Sequence, residues 1–579
     1  MSKSKQSFIE GALILTLAVI ISKIVGALYR IPLTAAIGED GMGFYSTAYN
    51  FYLTIYAIAV TGFPVAISKI VAGYSTEKRY KDVKRVIRVS RAFLIVLGVV
   101  FTAILIFTAK PYVAWAKNPR AYYCVLAVAP SVIFSCLMST YRGYNQGMKN
   151  MTPTAVSQVI EVLFKAAGGL AGAYVLKNYF VNEYAASGTV FGTVMANSAE
   201  AQVTILSLAA AGAMFGVSIS TFVGYLYLLL HHIFKGDGIS RELLENSPAP
   251  DSKGKILGQI MRIGIPIALS SAAVTLTGLI DNFSIMDRLN LVVNTDIATV
   301  YSSHMGVLEL AEKQLEDIPN FLYGVYNMGM PIFNLVPALT GSFGMSALPH
   351  ITSSWLMKDD ALTKRYMESA LRITMLIAAP AGFGIAFLSG PIAKLIYSRN
   401  PVGAALMEPM LTILGLAAIF VAVVNPISAM LQAVGRVDVP VKLMIAGGLI
   451  KLATNYFVVA IPALNIKAAP LGNLLCYFFI TACSLMVLKR VTKIKMNMRS
   501  VLWKPLFGGL LTGSYALVAY YLLDKFIGGR TATLGAIVVG GVVYLIAVGL
   551  MKAIEPEDII ELPGGKKLVD LLEKLHIIR

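Results

Sequence analysis

Fourteen apolar runs occupy this chain from end to end, and a water-soluble fold has nowhere to put them. They cover residues 8–36, 44–73, 91–115, 121–141, 153–177, 200–232, 257–283, 318–350, 367–393, 406–432, 438–462, 466–488, 501–523 and 532–552. A helix crosses the bilayer core with about 20 apolar residues. Backbone polar groups inside lipid must be satisfied within the segment, so long single runs read as helices, not barrel strands. Only 14% of the residues are charged and 57% are hydrophobic, against roughly a quarter charged in soluble proteins. That excludes a water-soluble enzyme, and a chain this apolar is not disordered. The expected fold class is an all-α polytopic membrane protein with 14 transmembrane helices.

Orientation follows from the basic residues, which favour cytoplasmic loops. The loop after the second run holds Lys78, Arg79, Lys81, Lys84, Arg85, Arg88 and Arg91, and the loop after the twelfth holds Lys489, Arg490, Lys493, Lys495 and Arg499. Both belong inside, and an even number of spans puts both termini inside. The net charge of +18 then reads as a cytoplasmic face turned to anionic lipid, not as a nucleic-acid surface. The first run is long, carries Glu10 and Lys23, and leads into Arg30-Ile31-Pro32, so it reads as a span, not a cleaved leader. After Lys552 the tail places Leu568, Leu571, Leu572, Leu575 and Ile578 at helical spacing. It reads as an amphipathic helix on the inner membrane surface or against the cytoplasmic ends of the spans.

A weak internal repeat is visible. Pro111, Asn118-Pro119, Gln146, Pro153 and Lys165 are matched by Pro391, Asn400-Pro401, Gln432, Pro440 and Lys451, each 280–287 residues later. Equivalent elements enter from the same side, giving two parallel six-helix lobes plus two extra helices. The expected divisions are an N-lobe at 1–235, a C-lobe at 236–490, spans thirteen and fourteen at 491–553, and a cytoplasmic tail at 554–579. Transporters of such construction place substrate between the halves and expose it to each side in turn.

Charges within spans are costly and mark cavities or pairs. Lys23 and Arg30 lie on one face of the first helix, which points to a basic cavity attracting phosphate or carboxylate; Arg30 reaching the outer headgroups is the plainer alternative. Lys69 sits near the inner end of the second span, where snorkelling is an equal reading. Glu161 and Lys165 are four residues apart, the spacing of an intrahelical ion pair, with release of Lys165 to an anionic substrate as the functional version. Asp281 on the seventh span is expected to pair with Lys451 on the eleventh, beside Asn455, because either charge alone is expensive. Tyr45, Tyr49, Phe51, Tyr52 and Tyr56 read as interfacial belt or packing. The loop acids Glu309, Glu312, Glu316 and Asp317 read as a solvated helix face. Cys124, Cys136, Cys476 and Cys483 lie within apolar runs without CxxC spacing and read as small hydrophobes. No phosphate-binding Gly-rich loop, metal-ligand cluster or gathered acids appear, so neither a catalytic site nor a metal or organic cofactor is expected.

Several stretches resemble a known family. Ser7-Phe8-Ile9-Glu10-Gly11-Ala12, Lys23 through Leu33, Tyr141-Arg142-Gly143-Tyr144-Asn145-Gln146-Gly147, Leu322-Tyr323-Gly324-Val325-Tyr326 and Leu335-Val336-Pro337-Ala338 are similar to the polysaccharide-export proteins related to stage V sporulation protein B and to the MurJ-type lipid II flippases. The resemblance runs over essentially the whole chain. It implies the multidrug/oligosaccharidyl-lipid/polysaccharide flippase fold, two helices added for a polyprenyl tail, and a basic cavity for a lipid-linked pyrophosphate. Lys23 matches a cavity cation of that family. Arg30 stands one position beyond the next, where Tyr29 falls. The cation on the eighth helix has no counterpart; Asn327 and Asn334 stand in that region, and a rearranged set using Lys165 or Lys69 is implied.

The expected function is therefore a flippase for an undecaprenyl-pyrophosphate-linked saccharide, such as lipid II, in the bacterial cytoplasmic membrane. Membrane lipids and the lipid-linked oligosaccharide are its expected partners, cell-wall synthesis proteins are further candidates, and coupling to an ion or the membrane potential is left open. A drug/cation antiporter of the same superfamily is the runner-up, followed by a membrane-embedded transferase and a non-transporting scaffold.

Overall fold

A computed structural model describes residues 8–293 and 317–555. The acidic positions Glu309, Glu312 and Glu316 and the amphipathic tail expected at 566–579 lie outside the described residues.

All fourteen apolar runs are helical over most of their length. The helices are α1 (Phe8–Ala59), α2 (Gly62–Thr76), α3 (Tyr80–Trp115), α4 (Tyr122–Val128), α5 (Pro130–Gly147), α6 (Thr152–Ser187), α7 (Ser198–Lys235), α8 (Arg241–Glu245) and α9 (Lys253–Val293). They continue with α10 (Ile318–Leu356), α11 (Asp360–Phe387), α12 (Ser389–Ile396), α13 (Pro401–Ala433), α14 (Asp438–Val458), α15 (Ala469–Thr492), α16 (Lys504–Ile527) and α17 (Gly529–Leu550). Among the described residues, 11 helical stretches are long and apolar enough to cross a membrane. The first of these is a 60-residue stretch from Leu17 to Thr76, about 90 Å long at 1.5 Å per residue. That is far more than one bilayer core, and it is broken at Gly38 (φ 66°, ψ −172°), a conformation that a residue with a Cβ rarely adopts.

One small departure from an all-helical reading joins α6 to α7. Strands β1 (Thr189–Val190) and β2 (Thr193–Val194) pair antiparallel, Thr189 opposite Val194 and Val190 opposite Thr193. Phe191 and Gly192 both have positive φ, as a two-residue hairpin turn requires.

The chain packs as two units, divided inside α10 between Gly324 and Val325. Among the described residues, one comprises 8–293 together with 317–324, the other 325–555. Helix α9, over the run expected as the seventh span, thus groups with the first unit.

In the first unit, α6 and α7 cross in backbone contact. A Cβ on Gly172 would strike the Gly212 carbonyl, and one on Gly216 would strike Gly169. Small residues at such a crossing let helix backbones meet, as in membrane helix pairs generally. A buried polar network ties α1, α3, α9 and the start of α10 together. Asn282 Nδ2 donates to the Tyr112 hydroxyl (2.7 Å), which donates to the Thr47 carbonyl (2.8 Å). Asn118 Nδ2 donates to Thr47 Oγ1 (3.0 Å) and Asn320 Oδ1 (2.8 Å), and Asn320 Nδ2 to the Asp40 carbonyl (2.9 Å). At the other end, the segment before α9 is bound to the basic start of α3. Asp251 accepts from the Tyr74 hydroxyl (2.7 Å) and pairs with Arg79 (3.0 Å) and Lys255 (3.0 Å), while Arg85 donates to the Asp251 carbonyl (2.8 Å).

The second unit has its core between α10, α11 and α13, around Ile351, Leu371, Met375, Ile419, Val423, Ile427 and Leu431. Arg372 on α11 is fully buried. It donates to Ser500 Oγ (2.9 Å) and pairs with Glu555 (2.5 Å), just beyond α17. The two sequence repeats share a local geometry: Asn118 (φ −138°, ψ 65°) and Asn400 (φ −127°, ψ 68°) each precede a proline that opens a helix.

Candidate functional site

The site takes shape where α1 lies against α6. Gly169 of α6 leaves room for the Tyr29 hydroxyl, which would collide with any Cβ there. Beyond the break at Gly38, Tyr45, Tyr49, Tyr52 and Tyr56 follow one another at spacings of four, three and four, so they share one helix face. Their rings form a ladder, with centroids 5.5, 5.9 and 5.7 Å apart in succession.

Two cations meet the head of that ladder. The Arg30 guanidinium sits 5.1 Å from the Tyr45 ring centroid and 5.6 Å from that of Tyr49. Lys165 Nζ donates to the Tyr49 hydroxyl at 3.0 Å and lies 4.4 Å from its ring centroid. Such contacts stabilise a cation by about 0.5–2 kcal/mol without neutralising it. Among the described residues no carboxylate lies within salt-bridge distance of Arg30 or Lys165. The buried hydroxyls of Tyr29 and Tyr45, beside these cations, make no hydrogen bond to any described residue. Two uncompensated positive charges and two phenolic donors in one place form an environment for an acceptor-rich anion, a phosphate above all.

The helical spacing of Glu161 and Lys165 predicts an intrahelical pair, and here the structure corrects the sequence. Glu161 pairs with Arg142 of α5 at 2.8 Å, and Arg142 Nε donates to Ser157 Oγ at 3.0 Å. A guanidinium can grip carboxylate and hydroxyl together, which a flexible ammonium one turn away does less well. Glu161 is thereby taken up, and Lys165 is directed to Tyr49. Arg142 and the tyrosine ladder are residues that sequence reasoning did not place in the site. Arg142 stood inside a quoted motif, and the ladder's spacing was visible, although it read as membrane belt.

The remaining expected site residues fall on both units. Lys23, two turns before Arg30, and Lys69 on α2 are exposed on the first unit. Asp281 and Asn282 are buried on α9 of the first unit, whereas Lys451 and Asn455 are buried on α14 of the second, packed over Gly472 of α15. The expected pair therefore draws one member from each unit. Asn327 is buried and Asn334 exposed, both on the part of α10 that belongs to the second unit. Among the described residues no group of three or more His, Cys, Asp or Glu could hold a metal ion.

Comparison with known proteins agrees with this architecture. The family model described as polysaccharide biosynthesis protein matches residues 8–204, and the one described as lipid II flippase MurJ matches residues 325–534. Three Bacillus subtilis proteins align over nearly the whole chain. An uncharacterized membrane protein, YabM, is 24% identical, covering 98% of this chain and 96% of its own length. The lipid II flippase MurJ is 23% identical (93% and 94%), and stage V sporulation protein B is 23% identical (98% and 99%). Among solved structures, a lipid II flippase MurJ in an inward closed conformation superposes with a TM-score of 0.63 at 15% identity, covering 93% of this chain and 98% of that one. An inward-facing multidrug resistance MATE family transporter superposes with a TM-score of 0.54 at 15% identity (83% and 99%). The resemblance read from the sequence thus holds, and the relatives with a named activity are flippases and transporters, not enzymes.

Proposed function

We propose, from the premise that this multi-span membrane protein is a relative of the MurJ-type lipid II flippases and stage V sporulation protein B, that it carries an undecaprenyl-pyrophosphate-linked saccharide across the bacterial cytoplasmic membrane. Lipid II is the substrate favoured by that kinship. In this reading fourteen spans form two six-helix lobes and an added pair, both termini are cytoplasmic, and the lobes expose the saccharide headgroup alternately to each side.

The observation that carries the proposal is the Arg30–Lys165 cluster, two cations that among the described residues meet no carboxylate, beside tyrosine hydroxyls that bond to none of them. Its sign suits a pyrophosphate. A drug/cation antiporter shares the fold, but a cationic substrate calls for acidic partners, and Glu161 is already committed to Arg142. Lys23, on the same face of α1, extends the positive surface toward the substrate's path.

The test is binding of lipid II, and of other lipid-linked oligosaccharides, to the purified protein, followed by translocation in vesicles. A charge-assisted hydrogen bond contributes about 1.5–3 kcal/mol, so Arg30→Ala or Lys165→Ala should weaken binding roughly 10- to 100-fold. Lys23→Glu should harm translocation more than Lys23→Ala, because a negative charge repels the pyrophosphate. Unchanged affinity in both the Arg30 and Lys165 variants would overturn the proposal.

A further inference from the structure

A second basic site lies away from the tyrosine ladder, at the start of α3. Lys84, Arg88 and Arg91 are spaced by four and three residues and share one helix face. With Ile87, Tyr144 of α5, His232 of α7 and Asp237 beyond α7, they line a cavity of about 160 Å³. One water needs about 10–15 Å³ of such space, so the cavity has room for a phosphate group.

The cavity is built from three directions. The His232 ring stands edge-on to Tyr144, with centroids 5.6 Å apart at 85°. The Tyr144 hydroxyl donates to the Asp237 carbonyl at 2.7 Å, which fixes the wall where the chain leaves α7. The Asp237 carboxylate pairs with Lys84 at 2.9 Å. Arg88 and Arg91 meet no carboxylate within salt-bridge distance among the described residues. The site therefore holds more positive charge than its single acid offsets.

Its position points to the kind of anion. One to two turns further along α3, Ile95, Val96 and Val99 are exposed apolar side chains, and on α7 Leu230, Ile233 and Phe234 are exposed beside His232, Phe234 by 81%. The cavity thus sits where water-facing basic surface gives way to lipid-facing apolar surface. A soluble anion has no use for that border, whereas a phospholipid needs both sides of it. We propose that this cavity binds the phosphate headgroup of an anionic membrane phospholipid, with the acyl chains along the exposed apolar faces of α3 and α7. The site is independent of the substrate reading.

The test uses the full chain in zwitterionic detergent, with melting temperature and bound lipid followed as phosphatidylglycerol, phosphatidylcholine or inorganic phosphate is added. Phosphatidylglycerol should raise the melting temperature by several degrees and be retained, and phosphatidylcholine should do neither. Arg88→Gln with Arg91→Gln should weaken that retention at least tenfold. Arg436→Gln with Lys442→Gln, which removes two charges near Asp438 in the second unit, should leave it unchanged. Retention that survives the Arg88/Arg91 change, or that falls equally in the control variant, overturns the site. An equal shift from inorganic phosphate at the same concentration overturns the lipid assignment. If the double variant does not fold, the phosphate competition and the single change Arg91→Gln decide the same question.

Discussion

Arg142 determines what Lys165 is available to do. By holding Glu161, it keeps the carboxylate one turn away from the lysine that faces Tyr49. Arg142→Ala should release Glu161 to pair with Lys165 at the favoured i,i+4 spacing, drawing the ammonium off Tyr49. We expect lipid II affinity to fall about tenfold, as in a partial loss of Lys165. Stability should fall by about 1.5–3 kcal/mol, the scale of a lost charge-assisted bond. Adding Glu161→Gln should restore affinity without restoring all of the stability, and that epistasis is the measurement. Sequence made both cations visible because charge inside an apolar run stands out. It could not assign partners: the local spacing favoured Lys165, and the residue that prevailed comes from another helix 19 positions earlier. The tyrosines were legible as a face but not as a site, since an aromatic at a membrane interface and one beside a buried cation have the same spacing.

At the scale of elements, glycine has opposite meanings in different places. Gly172 and Gly216 sit where α6 and α7 touch backbone to backbone. Replacing either with leucine should force the helices apart and lower the melting temperature sharply, by the cost of an overpacked contact, about 1–3 kcal/mol or more. Gly73 on α2 is exposed, has ordinary helical φ, and has nothing within 4 Å of a Cβ placed on it. Gly73→Ala should therefore stabilise by about 0.5–1 kcal/mol, the helix-propensity difference. Thermal denaturation of the three variants in detergent checks both signs. The helices themselves were readable, because length and apolar content decide a membrane span. The hairpin at 189–194 was not, since two residues per strand give no periodicity and only the Phe191-Gly192 turn marks it.

At the scale of the whole molecule, α9 packs with the first unit. Apolar runs mark where a helix can cross a membrane, but they do not record which neighbours each helix chooses. The segment leading to α9 is held to the first unit by Asp251. The Tyr74 hydroxyl, then Lys255 and Arg79, hold that carboxyl well below its usual range. A depressed carboxyl stabilises the docked state above its unfolded value, about 3.9, and loses that contribution as pH falls through the folded value. Protection from hydrogen exchange across residues 247–255, relative to the intrinsic rate at each pH, should therefore stay high at neutral pH and fall only in strong acid, below about pH 4. Asp251→Asn should show the lowered protection already at pH 7. Exchange that is equal in both proteins at pH 7 would refute the role of Asp251.

The crossing of α6 and α7 has a mechanical consequence. Helices separated by side chains can slide, because rotamers adjust as one surface shears over another. Helices in backbone contact have no such cushion, and each stop, Gly172 on Gly212 and Gly216 on Gly169, is set by main-chain atoms that cannot be repacked. The two therefore form a stiff plate that turns as one piece or not at all. Bending must be borne elsewhere, and on this side of the molecule the chain is already jointed at Gly38, between the half of α1 that carries Arg30 and the half that carries the tyrosines.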